Sequence, residues 1–323
     1  MARCRIVVHA VGGDEIGLGH VVRAAALRAA LRDRGATVEL IVEGPPWARE
    51  HGGEEDVYGA DSAPEALALH QRLGSASDAL VLDLPERHLA EADAEALAGL
   101  YPKSACLDDG DCGLAPDLHF RTAPYWGGPD AGPGRGASYL IVAPKVAERR
   151  PDAPWRGSRI TSGLVAFGGS DPAFATEAFA RELPAELSWT IACGPGFGAN
   201  RVREIETSAT PGIRVLPRVP DLASQILAHD LLLTLGGQTA YEAMCLGRAV
   251  LAPRWRHLER HVAGLADLGL LADLGPLESA PGRLNAAIAD PEALAETADS
   301  GWSVVDGRGS IRSADLIIDL AKS

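Results

Sequence analysis

Gly17-Leu18-Gly19-His20 is a glycine-rich turn that follows the apolar run Ile6-Val7-Val8 and opens a helical pattern. A second turn of this kind, Gly236-Gly237-Gln238-Thr239, follows the apolar run Leu231-Leu232-Leu233 in the other half of the chain. Glycines between a strand and a helix let the backbone approach a ligand closely and direct unpaired N–H groups at an anion. The two turns therefore predict two similar halves that bind one phosphorylated ligand in the cleft between them.

Composition limits the partners that such a protein can have. A chain of 323 residues is long for one core and suits two α/β domains. Its net charge of −14 argues against nucleic acid or an anionic membrane surface as the main partner. No apolar run approaches the roughly 20 residues of a membrane span, so we expect no integral membrane segment and a cytoplasmic location. The five cysteines are scattered, and we interpret them as reduced thiols.

Apolar runs alternate with helical patterns through the first half of the chain. The first helix is predicted at His20–Arg34, with Val21, Ala24, Leu27 and Leu31 on its buried face. Ligands bind at the carboxyl ends of strands in open parallel sheets, so Asp83 and Asp109 are expected near the ligand. The predicted strands are Arg5–His9, Val38–Val42, Ala79–Asp83 and Ser104–Asp108.

The alternation begins again after a polar stretch, Glu148–Ser162, that we interpret as the domain linker. The predicted domains are residues 1–150 and 151–323. The last helix, near Ile311–Ala321, could pack back onto the first domain. Strands alternating with helices in both halves predict two doubly wound parallel sheets. The strands predicted in the second half are Leu164–Phe167, Trp189–Ala192, Ile213–Leu216, Leu231–Thr234 and Ala249–Ala252.

His20 is the candidate general base. An imidazole in the first turn of a helix meets the positive end of the helix dipole, which disfavours its protonated form. A neutral imidazole can take a proton from a hydroxyl group or from water. Capping or packing would explain His20 equally well. Arg23 lies on the same helical face and could hold a phosphate or carboxylate, or it could simply be solvated.

Phe167-Gly168-Gly169-Ser170-Asp171-Pro172 follows the first strand of the second half. Ser170 or Asp171 could cap a helix that has Pro172 near its first position. Capping does not require two glycines, and these leave room for a diphosphate or a sugar. Gly194-Pro195-Gly196 follows the next strand, where it could shape a nucleobase wall or form a plain turn.

The turn that begins at Gly236 continues into Thr239-Ala240-Tyr241-Glu242. Thr239 could donate its hydroxyl and backbone N–H to a phosphate. Glu242, one turn into the helix, could accept both hydroxyls of a ribose, as carboxylates do in dinucleotide sites. Compensation of the helix dipole is the alternative explanation for Glu242.

Three segments, Ile16–Arg23, Phe167–Pro172 and Gly236–Glu242, together resemble the GT-B superfamily. The resemblance is greatest to the hydrolases of pseudaminic acid biosynthesis and the related spore-coat polysaccharide proteins, and more distant to the lipid-linked peptidoglycan N-acetylglucosaminyltransferase. It implies two Rossmann-like domains facing across a cleft. The C-terminal domain would bind a nucleotide diphosphate-sugar, usually UDP-linked, and the N-terminal domain would supply the acceptor side and the histidine.

The resemblance also implies roles for individual residues. His20 would be the catalytic base, Glu242 would bind the ribose, and neither a cofactor nor a metal would be needed, because helix N-termini stabilise the leaving diphosphate. Gly236, Gly237 and Thr239 would bind the diphosphate. The glycine-rich turns themselves add further expected diphosphate and nucleotide ligands, which are Gly17, Gly19, Gly168, Gly169, Ser170 and Gln238.

The chain departs from the hydrolase pattern on the side that would meet the sugar or acceptor. His9-Ala10-Val11 stands where those hydrolases have Arg-x-Asp, and Asp83-Leu84-Pro85 stands where they have Asp-Ser-Tyr. Arg260-His261 replaces their Asn-Gln pair. The candidates for the sugar or acceptor side are Arg23, Asp83, Asp109, Arg260 and His261.

The sequence therefore predicts a metal-independent, inverting glycosyltransferase that moves a sugar from a nucleotide diphosphate-sugar to a small soluble acceptor. A nucleotide-sugar hydrolase, with water activated by the same His20, is the main alternative. A 2-epimerase and a non-catalytic nucleotide-sugar-binding protein are further alternatives. The oligomeric state is left open.

Overall fold

The computed structural model describes residues 4–107, 113–126 and 132–323, and the chain divides into two compact units. The first unit contains residues 1–143 and 308–323, and the second contains residues 144–307. The boundary lies earlier than the 150/151 division expected from the sequence. Arg150 lies in the second unit, where its guanidinium donates to the carbonyls of Cys245 and Trp302 and stacks on the Trp302 ring.

The first unit is built on a parallel sheet. In the described part of this unit the strand order is β3-β2-β1-β4-β5-β6, and every neighbouring pair is parallel. The chain places β2 and β3 on one side of β1, and then β4, β5 and β6 on the other side. The strand order therefore reverses between β1 and β4, and this topological switch point is where ligands bind in such sheets. The strands are β1 (Arg5–Val11), β2 (Thr37–Glu43), β3 (Val57–Ala60), β4 (Ala79–Asp83), β5 (Ser104–Cys106) and β6 (Leu118–His119).

Helices cover both faces of this sheet. The predicted apolar face of the first helix is confirmed, since Val21, Ala24, Leu27 and Leu31 are all buried against the strands. The helices are α1 (Gly19–Asp33), α2 (Pro46–Arg49), α3 (Ala63–Leu73) and α4 (Glu91–Leu100), with 3-10 turns at Glu50–Gly52, Gly74–Ala76, Pro124–Trp126 and Ala137–Tyr139.

The second unit repeats this topology. Its strand order is β12-β11-β10-β7-β8-β9, again with parallel neighbours, so the switch point falls between β7 and β10. The strands are β7 (Ser162–Val165), β8 (Ser188–Ala192), β9 (Arg214–Leu216), β10 (Leu231–Leu233), β11 (Ala249–Arg254) and β12 (Ala272–Pro276).

The remaining helices belong to the second unit, except the last, which packs against α1 in the first unit through Ala314 and Ile317. None of the helices in the described ranges has both the length and the apolar character needed to cross a membrane. The helices are α5 (Pro144–Ala147), α6 (Ala175–Ala180), α7 (Ala199–Ser208), α8 (Leu222–Leu227), α9 (Gln238–Cys245), α10 (Glu259–Asp267), α11 (Leu284–Ile288), α12 (Pro291–Val304) and α13 (Gly309–Lys322), with 3-10 turns at Arg256–Leu258 and Pro281–Arg283.

The strands predicted from the sequence are all present, whereas β3, β6 and β12 were not predicted. Each of these three strands lies at an edge of its sheet. Edge strands are short and need no continuous apolar run, so periodicity does not reveal them. The interpretation of the cysteines as reduced thiols is wrong for Cys106, which is disulfide-bonded, while Cys4, Cys193 and Cys245 are free.

Candidate functional site

His20 lies in the first turn of α1, at the carboxyl end of β1. Gly13 and Gly17 exchange two backbone hydrogen bonds, of 3.0 and 2.7 Å, that close the loop before the helix. Gly17 has a φ of +80°, a conformation that favours glycine. Gly19 is the first helical residue. The glycines therefore end the strand abruptly and start the helix with His20 at the edge of the sheet where ligands bind.

Asp83, the last residue of β4, meets His20 at the switch point of the first sheet. Its Oδ1 atom lies 2.7 Å from Nδ1 of His20. Arg23 Nε donates to Oδ2 of the same carboxylate at 2.8 Å, and Arg23 Nη2 donates to Oδ1. Asp83 is fully buried, whereas the His20 side chain is 15% exposed. A buried carboxylate thus holds both a histidine and an arginine that project from one face of α1.

The charge on Asp83 favours one tautomer of His20. Burial alone would raise the pKa of Asp83, but the Arg23 guanidinium and the His20 hydrogen bond outweigh it and lower this pKa to about 2. An ionised carboxylate only accepts hydrogen bonds, so it favours the tautomer with the proton on Nδ1. In that tautomer the Nε2 atom of His20 carries the lone pair. The arrangement can therefore accept a proton at Nε2 and stabilise the imidazolium that results.

The first unit also accommodates the other residues predicted there. Arg23, a candidate for an anion contact, forms a bidentate pair with Asp83. Asp83, a candidate for the sugar or acceptor side, is buried beneath His20 and orients it. Asp109 lies outside the described residues.

The Gly168–Asp171 loop lies at the carboxyl end of β7. Gly168 has a φ of +89°, and no atom lies within 4 Å of the position that a Cβ would take. Ser170 is buried, and its Oγ atom has no hydrogen-bond partner among the described residues. The loop therefore offers open space above Gly168 and an unused hydroxyl group close by.

Asp171, rather than Ser170, caps the helix that follows this loop. Its carboxylate accepts from the backbone N–H groups of Ala175 and Thr176 at 3.1 and 2.9 Å. The expectation that Pro172 lies near the first helical position is wrong, because α6 begins only at Ala175. The residues between Pro172 and Ala175 form an extra turn, in which Phe174 adopts a left-handed φ of +52°.

Gly236 and Gly237 differ in backbone conformation and in the space available for a side chain. Gly236 has a φ of +87°, and a Cβ there would come within 2.7 Å of Val262. Gly237 precedes the first residue of α9 with an ordinary φ of −79°, and nothing lies within 4 Å of its Cβ position. α9 begins directly after Gly237, and the first turn of a helix carries backbone N–H groups that the helix itself does not satisfy. This helix end can therefore receive an anion.

Glu242 lies one turn further along α9 and is buried. Burial raises its pKa to about 7, and no positive charge in the part of the chain that the structure describes opposes that shift. Among the described residues, none forms an ion pair with it. A buried carboxyl group without an ion-pair partner is stabilised when a ligand donates hydrogen bonds to it from its hydroxyl groups.

Arg260 and His261 lie on α10. His261 Nε2 is 3.0 Å from the hydroxyl of Tyr241, the residue before Glu242, so this contact connects α10 to α9. Arg260 is exposed. The connection through Tyr241 had no sequence signal, because its two residues lie on helices whose packing the local pattern does not reveal.

Arg201 is a second residue that the sequence analysis missed. It lies on α7, where its guanidinium binds the Asp171 carboxylate, the Ser170 carbonyl and the Glu177 carboxylate. Arg201 therefore fixes the loop after β7. Among the described residues there is no group of three or more His, Cys, Asp or Glu side chains that could hold a metal ion.

Comparison with known proteins assigns this architecture to the GT-B fold. Among solved structures, the chain is similar to MnaA of S. aureus in complex with UDP, with a TM-score of 0.67, 13% identity and coverage of 99% of this chain and 98% of that one. It is also similar to the glycotransferase of kitacinnamycin, with a TM-score of 0.62, 19% identity and coverage of 99% and 100%. These two matches establish the shared fold.

The chain is also similar in sequence to a curated protein. The chain is 26% identical over 196 residues to the spore coat polysaccharide biosynthesis protein SpsG of Bacillus subtilis (strain 168). The match covers 57% of this chain and 58% of the length of that relative. No protein-family model matches the chain. The resemblance to the GT-B superfamily read from the glycine turns is confirmed.

Proposed function

We propose that this protein is a nucleotide-sugar-dependent, inverting glycosyltransferase with His20 as its general base. The observation that carries the proposal is the contact between His20 Nδ1 and the buried Asp83 carboxylate. A carboxylate that orients an imidazole at the ligand-binding edge of a sheet is an arrangement suited to proton abstraction.

The second unit supplies the groups that would bind the donor. The first turn of α9, with Gly236, Gly237 and Thr239, would receive the diphosphate, and Glu242 would accept hydroxyls of the ribose. Gly168, Gly169 and the Ser170 hydroxyl, which has no hydrogen-bond partner within residues 4–107, 113–126 and 132–323, would complete the phosphate side. Charge that develops on the leaving diphosphate would be stabilised by the helix N-terminus, so the reaction would not need a metal.

The proposed reaction is a single displacement. The oxygen of a small soluble acceptor attacks the anomeric carbon while His20 Nε2 takes the hydroxyl proton. The bond between the anomeric carbon and the diphosphate oxygen breaks, and both electrons leave with the diphosphate. Attack opposite the leaving group inverts the anomeric centre. Asp83 remains ionised and stabilises the imidazolium.

A nucleotide-sugar hydrolase is the second candidate, because the Ile16–Arg23 motif resembles that of the pseudaminic-acid-pathway hydrolases. In this reaction water would replace the acceptor, and His20 would activate it in the same way. A 2-epimerase would also cleave the anomeric C–O bond, and a non-catalytic binding protein would leave the donor intact.

A donor screen separates these reactions. The purified protein is incubated with UDP-, ADP-, GDP-, CDP- and dTDP-sugars, and the products are identified by mass spectrometry. Donor that stays intact until a small-acceptor library is added, and is then converted to a glycoside, supports the transferase. Release of free sugar without an acceptor indicates the hydrolase, and a donor of changed configuration indicates the epimerase. Binding of an unchanged donor under both conditions would contradict all three catalytic functions.

A further inference from the structure

Phe174 occupies an unusual position for a phenylalanine. It is 61% exposed, the highest fraction of any large apolar side chain in the described ranges. Its φ of +52° lies in the left-handed region, which bulky residues rarely adopt. Exposure of an apolar ring and a left-handed backbone both cost stability. Residues held in this way concentrate at functional sites, so Phe174 calls for a functional explanation.

The Arg201 side chain packs against one side of the Phe174 ring. The guanidinium of Arg201 lies 4.6 Å from its centroid and 4.0 Å from the centroid of Phe197. Arg201 is itself fixed by bonds of 2.6 Å to the Ser170 carbonyl and of 2.6 and 2.9 Å to the Glu177 carboxylate. The three side chains form a stack in the order Phe197, Arg201, Phe174. The guanidinium covers one face of the Phe174 ring, and since this side chain is 61% exposed, we take its other, outer face to be the one open to solvent.

This aromatic stack is anchored to the loops at the ligand-binding edge of the second sheet. Gly196 N–H donates to the Gly169 carbonyl at 2.8 Å, which joins the loop after β8 to the loop after β7. At Gly194 a Cβ would come within 2.3 Å of the carbonyl oxygens of Gly168 and Gly169, so the two loops are in direct contact. Phe174 therefore projects from the segment that also contains the candidate phosphate loop.

We propose that the outer face of Phe174 stacks on the nucleobase of the nucleotide donor. This inference rests on the proposed function, in which Glu242 and the glycine turns already account for the ribose and the diphosphate. The base is the remaining planar part of such a ligand, and a fixed aromatic ring is suited to bind it. The Arg201 guanidinium already donates to the Glu177 carboxylate and the Ser170 carbonyl, so we assign it the role of positioning the Phe174 ring.

Stacking on an aromatic ring tolerates every base, because every base has a π face. Phe174 would therefore contribute affinity for nucleotides without selecting among them. The selection of one base would have to come from other contacts.

The test compares nucleoside diphosphates with inorganic pyrophosphate, measured by isothermal titration calorimetry. In Phe174→Ala we expect roughly tenfold or weaker affinity for the UDP or ADP that the wild type binds, since base stacking contributes on this scale. Affinity for inorganic pyrophosphate, which has no base, should be unchanged. Phe174→Trp should restore nucleotide affinity, and its added fluorescence should be quenched by nucleotide relative to the wild type. Leu268→Ala, at a second exposed apolar side chain in the same unit, is the matched control.

Three results would overturn the inference in different ways. Equal nucleotide affinity in wild type and Phe174→Ala would eliminate the stacking role and leave the proposed function intact. A wild type that binds none of the nucleoside diphosphates would contradict the proposed function and the stacking role with it. A change in sedimentation of Phe174→Ala without loss of nucleotide affinity would assign the ring to a contact between copies of the chain.

Discussion

The Nδ1 atom of His20 lies 2.7 Å from the Oδ1 atom of Asp83, although 63 residues separate them in the sequence. The contact exists because β1 and β4 are neighbours in the sheet, with Ala10 paired to Asp83 at the carboxyl end. Helix α1, which follows β1, begins next to this pair of residues, so that His20 in its first turn contacts Asp83. The switch point of the sheet thus brings a first-turn histidine onto the carboxylate that ends the neighbouring strand.

Replacement of His20 should separate catalysis from binding. In His20→Ala we expect turnover of the donor identified in the screen to fall by about 10²- to 10⁴-fold, because general-base assistance is lost. The affinity for nucleoside diphosphate should be unchanged, since the groups proposed to bind it lie in the second unit. Turnover is measured by product release and affinity by calorimetry. Unchanged turnover would eliminate the proposed role of His20.

Asp83→Asn tests whether the carboxylate acts through the histidine. An amide cannot stabilise the imidazolium as a carboxylate does, so we expect slower turnover and an altered pH–rate profile. The substitution also leaves Arg23 without its ionised partner, so the free energy of unfolding must be measured alongside. Unchanged turnover and an unchanged pH–rate profile would show that the carboxylate does not act through His20, and a lowered free energy of unfolding in that variant would assign it a structural role. Glu65→Gln, an exposed carboxylate in α3, serves as the control.

Sequence reasoning located His20 but could not reveal its partnership with Asp83. The glycine turn and the apolar run before it are local signals, and they placed the histidine in the first turn of a helix. The partnership depends on strand order, because β4 must lie beside β1 rather than beside β3. No local pattern specifies that neighbour. The sequence therefore predicts Asp83 only as a residue near the ligand, and the structure shows that it is buried beneath His20.

The second unit shows the same limit. The Phe167–Pro172 segment was recognised from its glycines, but the extra turn that places Phe174 in a left-handed conformation was not. That turn is fixed by Arg201, which comes from α7, and by the Asp171 carboxylate that reaches Ala175 and Thr176. Contacts between separate elements override the local preference for a helix that starts at Pro172.

Gly237→Ala should impair ligand binding without unfolding the protein. Its φ is ordinary and its Cβ position is open, so the folded chain does not require glycine there. We expect the free energy of unfolding to stay within about 1 kcal/mol of the wild type. A methyl group at the start of α9 should nevertheless obstruct a diphosphate, and we expect tenfold or weaker binding of pyrophosphate.

Gly236→Ala is the matched comparison for that experiment. Its left-handed φ and a Cβ only 2.7 Å from Val262 should destabilise the protein by about 1–3 kcal/mol. Thermal unfolding and calorimetry distinguish the two effects. Normal pyrophosphate binding by Gly237→Ala would mean that this turn does not contact a phosphate.

Two buried histidines in the first unit should make stability depend on acid pH. His70 Nδ1 lies 2.8 Å from the Tyr101 hydroxyl, and His70 Nε2 lies 3.1 Å from His9 Nδ1. Burial lowers the pKa of both histidines, that of His70 to about 3. In the unfolded chain they titrate near 6.5, so the unfolded state gains protons first as the pH falls. The stability from these neutral histidines is complete above pH 6.5 and decreases toward pH 3.

Urea unfolding between pH 7.5 and 4.5 measures this dependence, which is at most about 1.4 kcal/mol per pH unit for each proton. His70→Gln should be less stable than the wild type at pH 7.5, because it disturbs the buried hydrogen bonds. Its stability should also fall less steeply with acid. His51→Gln, at an exposed position, should keep the wild-type slope. If the free energy of unfolding depended on pH equally in the wild type and in His70→Gln, His70 would not be a source of the acid sensitivity.

Glu242→Gln should affect stability and nucleotide affinity in opposite directions. Burial raises the pKa of Glu242 to about 7, against an ordinary value near 4.5, so the unfolded chain loses this proton at lower pH than the folded one. The wild type should therefore lose up to about 3 kcal/mol of stability as the pH rises from 4.5 to 7, a loss that Glu242→Gln avoids.

A ribose would donate its hydroxyls to the ionised carboxylate, so wild-type affinity for nucleoside diphosphate should rise between pH 6 and 8. Glu242→Gln should bind about tenfold more weakly at pH 8 and without that rise, whereas Glu278→Gln, at an exposed position, should follow the wild type. A pH-independent affinity in the wild type, measured by calorimetry, would place the ribose away from Glu242.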